Sequence, residues 1–310
     1  MTNLEIPGRK AVFFHVMKTG GMTFRSILGS IYGPSFHVVD DPSIEAIEAA
    51  LRKFECLEFH TLPFRGDFVH MHSQLVEQQC WDLLDGCDVF TMFREPVDQV
   101  VSQYFYTERN RAFIEPTYKT NGIPFAENIE QYLDGPWHFN NQLAFLLAKY
   151  PLTAKTPLDR NDLEAAKEML LRLRTHVGVT EQFADSLHIF ERVTGRSVPG
   201  KKVLNQNKNP DRPPLEAISV TVRDAIRERS ALEIELYEFG RELFLKDLAE
   251  YGSAPEYSFL ETKPRPKRTA EDVESKEVTP APAETLPSVA SAPAAASSGF
   301  WAFLRSKFAK

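Results

Sequence analysis

Cysteine is scarce in this chain of 310 residues: only Cys56, Cys80 and Cys87 occur, and no two of them form a CxxC pair. Such thiols make neither a disulfide framework nor a zinc spacing, so they read as buried thiols of a reducing compartment, with the cytoplasm as the expected location. Long apolar runs are lacking as well. No stretch reaches the ~18 apolar residues of a membrane-spanning helix, and residues 1–10 carry no apolar core of a signal peptide. Nor is there an excess of positive charge: 36 Lys and Arg stand against 43 Asp and Glu, a formal charge of -7. Nucleic acid finds no general electrostatic attraction here, and any anion site has to be built locally. There is no internal repeat.

What the chain does contain is an alternation of short apolar runs with amphipathic stretches. Residues 11–16, Ala-Val-Phe-Phe-His-Val, predict a buried strand, and a Gly-containing turn then opens a helix over 23–31. Further strands are predicted at 36–39, 68–71, 89–93 and 176–179, and helices at 44–54, 96–107 and 184–193. Apolar residues at helical spacing mark two more helical regions, 162–174 and 220–251. This order implies an α/β fold with a largely parallel sheet flanked by helices. The composition changes after Phe259. Residues 261–298 are rich in Pro, Ala, Ser, Glu and Lys, which predicts a disordered linker, so the folded domain is expected over 1–260.

The loop after the first strand, Lys18-Thr19-Gly20-Gly21-Met22-Thr23, has the parts of an anion cradle. Two glycines let an oxyanion approach the backbone, Thr19 and Thr23 offer hydroxyls, Lys18 offers charge, and a helix N-terminus lies behind. A nucleotide-triphosphate loop of the G-x-x-x-x-G-K-[ST] type puts its lysine after the glycines; Lys18 precedes them. A second candidate follows the 89–93 strand: Arg94-Glu95-Pro96, with Ser102 further on. Pro96 suits a first helical turn, so Arg94 ends the strand and Ser102 rides on the helix, where a guanidinium and a hydroxyl can grip one phosphate, or where Arg94 simply pairs with Glu95 or Asp98 on the surface.

The segment from Phe14 to Thr23 resembles the H-I-P-K-T-G-G-T-S loop of PAPS-dependent sulfotransferases of the carbohydrate type, sulfotransferase family 2, which includes the heparan sulfate 2-O-sulfotransferase relatives. The segment beginning at Arg94 is similar to that family's R-D-P-x-x-R-x-x-S. The resemblance covers roughly residues 12–244 in outline and implies a P-loop-like sheet. The loop 18–23 would hold the 5′-phosphosulfate of PAPS (3′-phosphoadenosine 5′-phosphosulfate), with Lys18 assisting the leaving group and Arg94 and Ser102 binding the 3′-phosphate. Met17 stands where the family has proline, which bears on loop rigidity. Gln99 stands for the second arginine, removing positive charge near the 3′-phosphate.

Transfer of a sulfuryl group to a hydroxyl needs in-line placement, charge stabilisation and a base. Among eight histidines, His70 and His72 lie on one face of the strand predicted at 68–71 and its end. Phe68-Val69-His70-Met71-His72 resembles the family's H-G-H segment, which implies His72 as base and His70 in support. The stretch from His176 resembles the family's V-G-x-x-E-x-F-x-x-S-L. Leu204-Asn205-Gln206-Asn207-Lys208 resembles its Asn-containing loop, so Asn205 and Lys208 are expected near the 3′-phosphate. No third ligand shares a metal-binding spacing with the two histidines, and the reaction requires no metal.

The donor side implies PAPS as co-substrate and PAP (adenosine 3′,5′-bisphosphate) as product; the acceptor expected is a hydroxyl of a carbohydrate or glycolipid. Tyr104, Phe105, Tyr106, Arg109, Arg111, Tyr118 and Lys119 form an aromatic and basic stretch that suits an anionic sugar or an amphipathic helix. Residues 299–310 place Phe300, Trp301, Leu304 and Phe308 on one helical face beside Arg305, Lys307 and Lys310, a pattern for docking on an anionic membrane surface or a partner groove. Two other readings stay open: a P-loop kinase or NTPase, and a non-catalytic nucleotide- or glycan-binding member of the same fold.

Overall fold

The computed structural model describes residues 9–39, 44–60, 78–120, 124–135, 139–147, 158–205 and 209–261. They fall within one compact unit, Met1–Val273. Five parallel strands make the central sheet: β1 Ala11–His15, β2 Phe36–Val39, β3 Cys56–His60, β4 Asp88–Phe93 and β5 His176–Val179, in the order β2-β3-β1-β4-β5. The expected α/β class is observed. Around the sheet lie α1 Gly21–Tyr32, α2 Ile44–Lys53, α3 Gln78–Leu83, α4 Pro96–Arg109, α5 Arg111–Thr120, α6 Ile129–Asp134, α7 Asn141–Leu146, α8 Arg160–Arg172, α9 Phe183–Thr194, α10 Val220–Arg229 and α11 Ala231–Tyr251. A small parallel pair, β6 Lys202–Asn205 and β7 Ser258–Glu261, completes the described chain.

Alternation along the strands splits the core into two layers. Val12, Leu57, Val89 and Phe93 face α2, α8 and α11 through Ile47, Leu163, Leu170 and Leu236. Phe13, Phe90 and Met92 face α1 and α9 through Phe24, Leu28, Leu187 and Phe190. Burying a phenylalanine of this kind contributes roughly 2–3 kcal/mol. A third cluster packs α4 on α6 and α10 through Val97, Val100, Val101, Leu133 and Ile226. No helix among the described residues is long and apolar enough to cross a membrane.

The predicted strand 68–71 lies outside the described residues; the third strand of the sheet is Cys56–His60. Glu58 hid it, since a carboxylate in Cys-Leu-Glu-Phe-His breaks the apolar pattern. It is fully buried with both oxygens partnered: His15 Nδ1 lies 2.6 Å from one and Arg25 Nε 2.7 Å from the other. The 220–251 helix is two helices broken at Ser230. Cys56 and Cys87 are buried free thiols, and burial pushes the Cys87 thiol up to about 11. The expected linker 261–298 and terminal segment 299–310 lie, after Glu261, outside the described residues.

Candidate anion-binding site

Strand order fixes where a site can form. β1 lies between β3 and β4, and the chain leaves β1 toward β2 on one side before crossing to β4 on the other. The carboxyl ends of β1 and β4 therefore flank the point where the winding changes direction, where open α/β sheets leave a crevice. The Lys18 loop follows β1 and the Arg94 turn follows β4. Although 76 residues apart, they touch: Arg94 Nη1 donates to the Lys18 carbonyl at 3.1 Å.

Backbone geometry opens the loop toward the crevice. Lys18 has φ 63 and Gly20 φ 82, both in the left-handed region. Gly20 is the N-cap of α1 and no side chain caps that helix, so the first-turn amides of Gly21 and Met22 face outward with the positive end of the helix dipole. Thr180 ties the loop to the neighbouring strand end, its one hydroxyl proton shared between the carbonyls of Thr19 at 2.7 Å and Phe93 at 2.9 Å. Gly21 has a packing reason: a Cβ there would lie 2.1 Å from the His15 ring.

Arg94 is held by Asp98, one helical turn on. Its Nε and Nη2 reach the same Asp98 oxygen at 2.6 and 2.5 Å, while Arg212 pairs with the other Asp98 oxygen. Counting donors, these bonds and the one to Lys18 leave Arg94 one N–H on each terminal nitrogen for a ligand. Asp98, Ser102, Tyr106 and Arg109 follow at helical spacing on α4. The half-buried Lys18 sits with Nζ 4.2 Å from the centroid of the Tyr106 ring. Burial, together with the nearby charges of Arg94, Arg212 and Arg109, pushes the Lys18 pKa down to about 7. Arg94 and Arg212 thus share the Asp98 carboxylate, with Lys18 and Arg109 close by, a local concentration of basic groups in a chain whose net charge is negative.

The expected residues fare differently. Lys18, Gly20, Gly21, Met22, Thr23 and Arg94 lie just beyond the carboxyl ends of β1 and β4, and Ser102 is buried on α4 between Asp98, which holds Arg94, and Tyr106, which lies against Lys18. Thr19 corrects the expectation of a hydroxyl donor to the anion: it is fully buried and its hydroxyl donates to the Val16 carbonyl at 2.9 Å, which shapes the loop. Gln99 is fully buried and donates to the Met17 carbonyl at 3.3 Å, so it braces the loop at the point where a proline was missing. Arg212, from a Pro-rich stretch with no local signal of a site, adds a second guanidinium at Asp98. Arg111 is taken up by Glu108 and Glu127 and stacks on Phe125, leaving Arg109 as the basic group of that region near Lys18. Asn205 ends β6, its side chain outside the described residues. His70, His72 and Lys208 also lie outside the described residues.

No protein-family model and no curated protein sequence matches the chain.

Proposed function

We propose that the chain is a sulfotransferase, moving the sulfuryl group of PAPS to a hydroxyl of a carbohydrate or glycolipid. The observation that carries this reading is the contact between the two resembling motifs, Arg94 Nη1 on the Lys18 carbonyl, at the carboxyl ends of adjacent parallel strands. One anion would lie on the Gly21 and Met22 amides beside Lys18. A second phosphate would take the two spare N–H groups of Arg94, with Ser102 on the same side of α4.

In the transfer the acceptor oxygen bonds to sulfur as the bond from sulfur to the bridging phosphate oxygen breaks. The acceptor proton goes to a base, assigned here to His72 with His70 in support, and PAP departs with the electron pair. Charge develops on the bridging oxygen, where Lys18 would stabilise it. An arriving phosphosulfate supplies the counter-charge that Lys18 lacks among Arg94, Arg109 and Arg212, and so holds the ammonium protonated.

Thermal stability with PAP and with ATP tests the reading. PAP at ~100 times its Kd should raise Tm by roughly 5 °C, and Arg94→Ala should abolish the rise. Stabilisation by ATP and not PAP would establish the kinase or NTPase reading instead. PAP binding with no turnover over a broad panel of hydroxyl acceptors would leave a non-catalytic binding protein.

A further inference from the structure

Arg94 stands one residue beyond the end of the ladder. The β4 register stops at Phe93 against β5 and at Thr91 against β1, so the Arg94 N–H and C=O have no strand partner. A side chain replaces one. Gln142, 1% exposed on α7, accepts from the Arg94 N–H with Oε1 at 2.9 Å and donates to the Arg94 carbonyl with Nε2 at 2.9 Å, as a neighbouring strand would.

The orientation of that amide is set in turn by Glu233 on α11, which is fully buried. Gln142 Nε2 donates to one Glu233 oxygen at 2.9 Å and the Gln142 backbone N–H to the other at 3.1 Å. The Glu233 N–H donates to Asn140 Oδ1 at 3.1 Å, clamping the start of α11 to the start of α7. Both Glu233 oxygens accept N–H groups, so a flipped Gln142 amide would set its oxygen against the Glu233 oxygen and the Arg94 carbonyl, and its NH2 against the Arg94 N–H. Burial raises the Glu233 pKa to about 7, with the charge of Glu95 adding to the effect. An apolar residue would pack here without that cost.

We infer that Gln142 and Glu233 are positioning residues of the anion site: through two bonds to the Arg94 backbone they fix the angle at which its guanidinium meets the nucleotide and the Lys18 loop. This rests on the donor reading above. Neither residue touches the ligand; both act through Arg94. The chain of contacts runs Glu233, Gln142, Arg94, Lys18 carbonyl.

The experiment uses the full chain and three substitutions: Gln142→Met, which keeps length and removes the amide; Glu233→Gln, which keeps shape and turns an acceptor into a donor; and Arg94→Ala. Two quantities are read: the PAP Kd by calorimetry, and hydrogen exchange of the peptide containing Arg94 and Glu95 in the ligand-free protein. Gln142→Met and Glu233→Gln should each weaken PAP by about tenfold and speed exchange at the Arg94 amide. Gln142→Met placed on Arg94→Ala should weaken PAP no further than Arg94→Ala alone. Losses that add in the double variant, or unchanged exchange at Arg94, would overturn the inference. Should Gln142→Met fail to fold, Glu233→Gln carries the same two readouts. A wild-type chain that does not bind PAP would instead refute the donor reading, while the exchange measurement would still decide whether Gln142 holds the turn.

Discussion

Lys18 combines a strained backbone with a destabilised charge. A φ of 63 in a residue with a side chain costs about 1 kcal/mol, and burial beside three guanidinium groups brings its pKa from 10.5 down to about 7. The unfolded chain then binds more protons than the folded one between those two values. The penalty on folding is complete below about pH 7 and fades as pH rises toward 10.5. Lys18→Met should therefore raise Tm of the ligand-free protein by roughly 3 °C at neutral pH, with the gain shrinking at pH 9 to 10, while losing the stabilisation by PAP; differential scanning fluorimetry across pH reads both. The same linkage makes PAP binding take up protons at pH 8, and affinity should fall above pH 7, by at most about tenfold per unit. Calorimetry in two buffers of different ionisation enthalpy would expose the uptake; equal heats in both would exclude Lys18 as the titrating group.

At the scale of elements, the unit from β1 to α1 was legible because its features are local: a β-branched and aromatic run, then two glycines. Why the second glycine is needed was not legible, since its reason is the ring of His15 two residues before the loop's Met17, seen only when the chain folds back. Gly21→Ala should cost 3 kcal/mol or more, about the cost of forced overpacking, and denaturant unfolding would measure it. Gly240→Ala in α11 should behave similarly, because its Cβ would lie 2.4 Å from the Phe93 ring where that helix crosses β4. Strand β3 escaped sequence reasoning for the opposite reason. Its central Glu58 looks like a surface residue until His15 of β1 and Arg25 of α1 are brought against it. Local patterns report strands and helices whose polar groups face water; a buried ion cluster is a property of three elements together. The same distance effect hid Arg212, which reaches Asp98 from 114 residues away, and the pair Gln142 and Glu233.

For the whole molecule, the last described element is β7. β7 ends at Glu261, in register with Asn205 of β6, and Val203 of β6 packs into the layer formed by α1 and α9. A chain ending at Glu261 keeps every described element and should keep both its Tm and its PAP affinity, whereas one ending at Tyr257 removes β7 and leaves the edge of β6 unpaired. The truncation at Glu261 also separates the folded domain from the proposed docking segment 299–310, whose Arg305, Lys307 and Lys310 run against the overall charge of -7. If apolar burial of Phe300, Trp301, Leu304 and Phe308 is joined to those charges at a lipid surface, the full chain should co-sediment with vesicles containing anionic lipid and release as salt rises, since exposed charges are screened over ~10 Å at 0.1 M. The chain ending at Glu261 should stay in the supernatant at every salt concentration. Equal sedimentation of the two would assign any vesicle binding to the domain itself, and sedimentation of neither would remove the membrane surface as the segment's partner.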